Sequence, residues 1–197
     1  MNFVNQKNNF SKTDYRIKIF MAIKKWVLDK AHSQIHFMVK HMMITTVTGG
    51  FSEFSADVET EERDFGTAKI NFVAQTASVF TGNDGRDTHV KSADFFDVQN
   101  YPQLRFISTG VKKIDDKQFK LRGDMTIKNV TKEIEADVKF AGFVKDPWGK
   151  EKAGFIISGI INRKDYGLKW NVITEAGNIL VGEEARISCE VQLVEES

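Results

Sequence analysis

The feature that most constrains this chain is a strict period of two. From Phe119 onward Phe119, Leu121, Gly123, Met125 and Ile127 are apolar or small, while Lys120, Arg122, Asp124, Thr126 and Lys128 between them are polar. Successive side chains of a strand point to opposite faces, so the pattern specifies a strand with one buried face and one wet face. The next run reverses parity, with Val130, Ile134, Ala136, Val138 and Phe140 against Thr131, Glu133, Glu135, Asp137 and Lys139. Two amphipathic strands meeting at Asn129-Val130 read as a hairpin, with Asn129 expected in the left-handed conformation of a tight turn.

The alternation recurs along the chain. Ile35, Phe37, Val39 and, by continuation, His41 share one face; Ala68, Ile70, Phe72 and Ala74 share another; Ala185, Ile187, Cys189, Val191 and Leu193 form the inward face of a last strand. Further strands are expected near residues 54–59, near 104–111 and over "GFIISGIINR". About eight long strands, separated by Gly, Asn and Asp turns, make an all-β chain, an antiparallel sandwich or closed barrel. Sixteen Phe against two Pro agree, because aromatic residues suit pleated, half-buried surfaces. The alternation stops between Ser78 and Asn100, where "GRDTHVKSADFF" carries helix formers and places Asp84 and Asp87 near a helix start. One or two short helices are expected there.

Residues 1–22 are polar, rich in Asn and without alternation, and read as a loose leader in which Met21 is a candidate start; residues 23–197 form a single domain. A net charge of +1 gives no field to gather nucleic acid or anionic membrane over a distance. No apolar run reaches the ~18 residues of a membrane-spanning helix or the roughly 7 to 15 of a secretory signal, so a soluble, cytoplasmic protein is expected. The single Cys189 cannot form an internal disulfide and reads as a small buried hydrophobe.

Catalytic and metal chemistry find little footing. On a strand rising ~3.3 Å per residue, His32 and His36 share a face but stand about 13 Å apart, and His41 has the opposite parity, so no metal site is expected. Asp87, His89 and Ser92 supply the residue types of a hydrolase triad, but on a helix they cannot share a face; an Asp87–Lys91 pair on a solvated helix is the plainer reading. The glycines form neither G-x-G-x-x-G nor a complete phosphate loop, and "GNDGRD" lacks the ligand spacing of a calcium loop.

The inward positions mix large groups such as Phe72, Phe119, Phe140 and Phe155 with small ones such as Ala68, Ala74, Gly123, Ala136 and Gly159. Periodicity alone leaves open whether the small residues leave a ligand tunnel or let the large ones fill a taper. "LDKAHSQIHFMVKHMMITTVTGGFSEF", "ASVFTGNDGRDTHVKSADFFDVQNYPQLRF", "DMTIKNVTKEIEADVKFAGFVKDPWGKEKAGF" and "INRKDYGLKWN" together resemble the YceI-like family of lipocalin-like polyisoprenoid-binding proteins, from about Trp26 to Val194. The resemblance implies an extended eight-stranded antiparallel barrel whose apolar tunnel holds an isoprenoid lipid of quinone or polyprenyl phosphate type. It also implies a link to stress, no chemistry on the ligand, no cofactor beyond it, and a homodimer.

Expected to line the tunnel are Ile35, Phe37, Val39, His41, Phe54, Ile70, Phe72, Leu104, Phe106, Phe119, Leu121, Met125, Ile134, Val138, Phe140, Phe155 and Ile157. "GNDGRDTHVKSADFF" would frame the barrel mouth, with Arg86, Asp87 and His89 orienting one another or meeting a polar head group. The alternative is a hydrolase or isomerase using the same three residues.

Overall fold

The structure, a computed structural model, describes residues 22–173, 177 and 179–196. Its strands are β1 (Ile23–Leu28), β2 (Gln34–His41), β3 (Thr45–Phe51), β4 (Phe54–Glu61), β5 (Asp64–Gln75), β6 (Val79–Phe80), β7 (Gln103–Lys113), β8 (Gln118–Ile127), β9 (Val130–Lys145), β10 (Glu151–Asn162) and β11 (Val181–Glu195). Eight of them close a ring in the order β1-β4-β5-β7-β8-β9-β10-β11, with β11 returning to β1. Each pairing in that ring is antiparallel. The expected all-β, eight-stranded antiparallel barrel is therefore present. The expected leader and Met21 lie outside the described residues, apart from Ala22, whose backbone pairs with Glu62.

Sequence alternation does not reveal that the long first strands are broken. A 3-10 turn, Lys30–His32, separates β1 from β2, and a second, Thr76–Ser78, separates β5 from β6. Beyond the breaks β2, β3 and β6 leave the ring and extend it as a flap alongside the first half of β11. β11 is long enough to pair with β2 through Ala185–Glu190 and with β1 through Leu193–Glu195.

Asp29 fixes the first break. Its carboxylate accepts hydrogen bonds from Ala31 N (3.2 Å), Gln192 Nε2 (2.8 Å) and Lys152 Nζ (3.1 Å), and lies 3.1 Å from His32 Nδ1. Burial alone would raise its pKa, but the bonds from Lys152, His32 and Gln192 outweigh it and hold the carboxyl at about 2. A carboxyl depressed in the folded state stabilises above its unfolded pKa of roughly 3.9 and loses that contribution as pH falls toward the folded value. Asp29→Asn is expected to flatten the stability profile between about pH 4 and pH 2, measured by urea unfolding, while leaving a constant loss at neutral pH.

The β8–β9 hairpin forms as expected, with Ile127 opposite Val130. The left-handed residue is Lys128 (φ 57°) rather than Asn129. Turn geometry set by the two strands overrides the preference of the side chain at each position. At the tip between β2 and β3, Met42 (φ 52°) and Met43 (φ 62°) are both left-handed, a conformation costing roughly 1–2 kcal/mol for a residue with a Cβ.

The expected helix is α1 (Asp84–Lys91), capped by the Asn83 side chain, which accepts from Arg86 N at 2.9 Å. The turns β2–β3 and β8–β9, the β10–β11 connection and α1 gather at one end of the barrel. At the other end Trp26, Phe65, Phe140, Phe143 and Phe155 pack ring against ring, from 4.7 Å between the Phe65 and Phe155 centroids to 6.0 Å between Trp26 and Phe143. The Trp26 indole donates to Thr60 Oγ1 at 3.0 Å, so its one polar atom is satisfied inside this plug.

The cavity and its mouth

A cavity of about 430 Å³ runs inside the barrel, within the range of roughly 300–1,000 Å³ usual for ligand pockets. Its wall includes Ile35, Phe37, Val39, His41, Ile70, Phe72, Leu104, Phe106, Phe119, Leu121, Met125, Ile134, Val138, Phe155 and Ile157. The inward face of β11, from Ala185 to Leu193, lines it as well.

Two expected wall residues stand elsewhere. Phe54 is buried and shares the parity of Ala56 and Val58, which do line the cavity, but as the first residue of β4 it packs into the core off the wall. Phe140 sits where the β9–β10 register shifts: Gly154 faces Gly142 and Phe155 faces Phe140, leaving Ala141 unmatched. Phe140 joins the aromatic plug, its ring 5.0 Å from Phe143 and 5.2 Å from Phe155.

The small inward residues divide likewise. Ala68 and Ala136 lie on the wall, whereas Ala74, Gly123 and Gly159 do not. A Cβ on Gly123 would come within 2.3 Å of Phe106 Cζ and 2.5 Å of the Ile107 carbonyl oxygen. The Phe106 ring already occupies the space that glycine leaves.

Alternation also passed over several wall residues. Phe65 has the opposite parity to Ala68 yet is buried, because the β4–β5 register shifts between Glu59 and Glu61. Phe95, Phe96, Leu168 and Trp170 reach the cavity from segments without strand or helix periodicity. Ala56 and Val58 were legible in the alternation of "FSADVETE".

Toward α1 the wall takes in the exposed Lys40 and Arg86 and the partly buried His41, His89 and Trp170, so the cavity meets solvent at this end. Arg86 and Asp87 converge on Thr81: the guanidinium donates to Thr81 Oγ1 (2.7 Å) and to the Thr81 carbonyl (2.8 Å), and the Asp87 carboxylate accepts from Thr81 N (2.7 Å) and its hydroxyl. Asp87 is thus turned to Thr81, where an i, i+4 pair with Lys91 was expected, and it is off the cavity wall. His89 Nε2 lies 2.9 Å from Asp94 Oδ2, and the ring packs edge-on against Trp170 with centroids 4.5 Å apart. Arg86, Asp87 and His89 therefore form two separate pairings, and the Ser92 hydroxyl donates to the His89 carbonyl at 2.7 Å rather than to its ring. No group of three or more His, Cys, Asp or Glu able to hold a metal occurs among the described residues.

Arg163, unforeseen from sequence, is 5% exposed. Its guanidinium donates to the carbonyls of Gly182 (2.7 Å), Val181 (2.9 Å), Trp170 (3.0 Å) and Leu168. Burial pushes its pKa down, with Glu183 opposing. Its bonds tie the 3-10 turn Arg163–Tyr166 to the mouth segment 168–170 and to the start of β11.

Cys189 is 7% exposed on the cavity wall, and burial pushes its thiol up to about 11, against a smaller opposing contribution from the His36 backbone. Only the thiolate is strongly nucleophilic. Maleimide labelling at pH 7.5, followed by intact mass, is expected to be negligible in the folded protein and complete within minutes in denaturant.

Comparison with known proteins agrees with this architecture. The curated relatives include a UPF0312 protein of Staphylococcus aureus, 34% identical over 168 residues that cover 85% of this chain and 95% of the relative. Among solved structures, a Campylobacter jejuni YCEI protein is 34% identical with a TM-score of 0.68, covering 86% of this chain and 97% of that one. A polyisoprenoid binding domain from Saccharophagus degradans shares the fold at 14% identity and a TM-score of 0.63, covering 87% of this chain and 98% of its own. Residues 26–193 match the YceI-like domain, and the chain belongs to that family.

Proposed function

We propose that this protein sequesters or carries a long isoprenoid lipid in the barrel cavity and performs no chemistry on it. The observation that carries the reading is the distribution of polarity: hydrocarbon side chains make up most of the wall, and of its polar residues Lys40, His41, Arg86 and His89 stand at the open end. An apolar chain with one polar head matches that division, tail inward and head at the mouth. Arg86 suits the oxygens of a phosphate or quinone head, because guanidinium contacts to such acceptors are charge-assisted. The polyisoprenoid binding domain of Saccharophagus degradans, with the same fold, supports the choice of chain. A homodimer and a role in stress belong to the same proposal.

Burying hydrocarbon contributes roughly 0.8 kcal/mol per CH₂. Affinity should therefore rise with each added isoprene unit until the tail reaches Phe65 and Phe155 at the cavity floor, and then level off. The test is mass spectrometry of the protein purified from cells under lipid-preserving conditions, with titration of prenyl alcohols and quinones of graded length. An extractable isoprenoid and a length plateau support the reading. Absence of any co-purified lipid, together with no binding at any length, overturns it.

A further inference from the structure

We propose that the mouth end of the barrel docks on a phospholipid bilayer through the β2–β3 tip and the neighbouring Val172 and Ile173, so that cargo passes between membrane and cavity without crossing water. The first is the β2–β3 tip, where Met42, Met43 and Ile44 are 40%, 55% and 76% exposed. The second is the segment preceding β11, where Val172 and Ile173 are 47% and 73% exposed and Ile173 bridges to Ile179. The two are joined through the backbone: Met42 N donates to the Leu180 carbonyl and Leu180 N donates to the Val172 carbonyl, at 2.8 and 2.9 Å. They stand beside Leu180, Val181 and Lys40 on the cavity wall, at the end where the cavity opens.

Several observations favour a bilayer over a second protein. Met42, Met43 and Ile44 sit on an exposed turn with Val172 and Ile173 exposed beside it, and a fluid interface needs no shape complement to receive such points, whereas a protein partner would need a matching groove. Met42 and Met43 hold left-handed backbone that an Asn-Gly pair would adopt without strain, so two long, flexible apolar side chains stay in solvent against the local preference. Lys40 and Lys169 are exposed beside these segments, and Arg86 is exposed at the mouth; cations so placed favour anionic head groups. Of the carboxylates at this end, Asp94 and Glu183 are paired with His89 and Lys164, while Glu184 is exposed. The docking rests on the carrier reading for its purpose, although not for its geometry.

The test uses the full chain, with sedimentation on vesicles of phosphatidylcholine and phosphatidylglycerol at 70:30 and on phosphatidylcholine alone. Ile44→Glu with Ile173→Glu changes two side chains more than 70% exposed, so folding should be preserved, as circular dichroism would verify. Trp148→Ser serves as control, because Trp148 is 84% exposed on the β9–β10 turn at the plugged end. The expected result is at least about a tenfold loss of vesicle partitioning for the double variant, little change for Trp148→Ser, and tighter binding to the anionic vesicles. Equal partitioning of the double variant and the wild type, or a loss in Trp148→Ser instead, overturns the proposal. So does light scattering that shows the double change converting a dimer to a monomer, which would assign these segments to a second copy. Lipid content by mass spectrometry is read separately: wild-type protein that carries lipid but ignores vesicles refutes docking alone, whereas the expected vesicle behaviour in a protein with no lipid refutes the carrier reading alone.

Discussion

Arg163→Met is expected to lower the unfolding free energy by about 4 kcal/mol and the melting temperature by roughly 10 °C. The expectation follows from where the guanidinium's hydrogen bonds end. Four backbone carbonyls, of Leu168, Trp170, Val181 and Gly182, accept from this one side chain. Methionine fills a similar volume but returns none of those donors, although the Val181 carbonyl keeps the bond it accepts from Asn171 Nδ2 at 2.9 Å. Each buried carbonyl left without a partner costs roughly 1–3 kcal/mol unless the segment shifts to admit water. Lysine offers one compact ammonium where arginine spreads its donors over a planar fork, so Arg163→Lys should restore well under half of the loss. Urea unfolding of the three proteins measures this directly. Leu168, Trp170 and Val181 also line the mouth, so ligand affinity should fall with stability in both variants. A loss below about 1 kcal/mol for Arg163→Met would mean that the carbonyls find other partners and that the mouth does not depend on this residue.

Arg163 also marks where sequence reading stops. Alternation identified strand faces wherever the ladder is regular, and the faces of β8 and β11 could be read residue by residue because a period of two leaves one choice of parity. It failed where the count of residues across a pair changes. The register shift between Glu59 and Glu61 brings Phe65 inward, and the shift at Gly154/Phe155, with Ala141 unmatched, turns Phe143 to the face of Phe140 so that the two rings meet in the plug. Such a shift inverts parity without altering the composition of the strand, so no local pattern announces it. The mouth was the least legible part. Phe95, Phe96, Leu168 and Trp170 lie in segments with no period, and their place on the wall depends on contacts between residues far apart in sequence. The size of an inward side chain misled at Gly123, because the space opposite a glycine belongs to whichever neighbour reaches it first, and there Phe106 does. That distinction between a small residue facing a void and one facing a ring makes the cavity testable by mutation.

Ala136→Phe should reduce affinity for an isoprenoid chain by about a hundredfold while leaving the barrel as stable as before or slightly more so. Ala136 lies on the cavity wall in β9, opposite Leu121 on one side and Gly159 on the other. A phenyl ring there would project into the cavity and displace a length of guest equivalent to roughly three or four methylenes. At about 0.8 kcal/mol each, that is around 3 kcal/mol, or two orders of magnitude in the dissociation constant. Stability should not suffer, because the ring replaces void rather than atoms. Ala74→Phe supplies the contrast. Ala74 is fully buried and off the wall, so the same ring must push aside packed neighbours, at a cost of about 1–3 kcal/mol or more. Its effect on the ligand should be indirect and smaller. Calorimetric titration with a prenyl ligand, paired with urea unfolding, separates the two: one variant loses ligand and keeps stability, and the other loses stability first. If Ala136→Phe binds the ligand as tightly as the wild type, the guest does not lie in the barrel interior, and the hydrocarbon wall serves the fold alone.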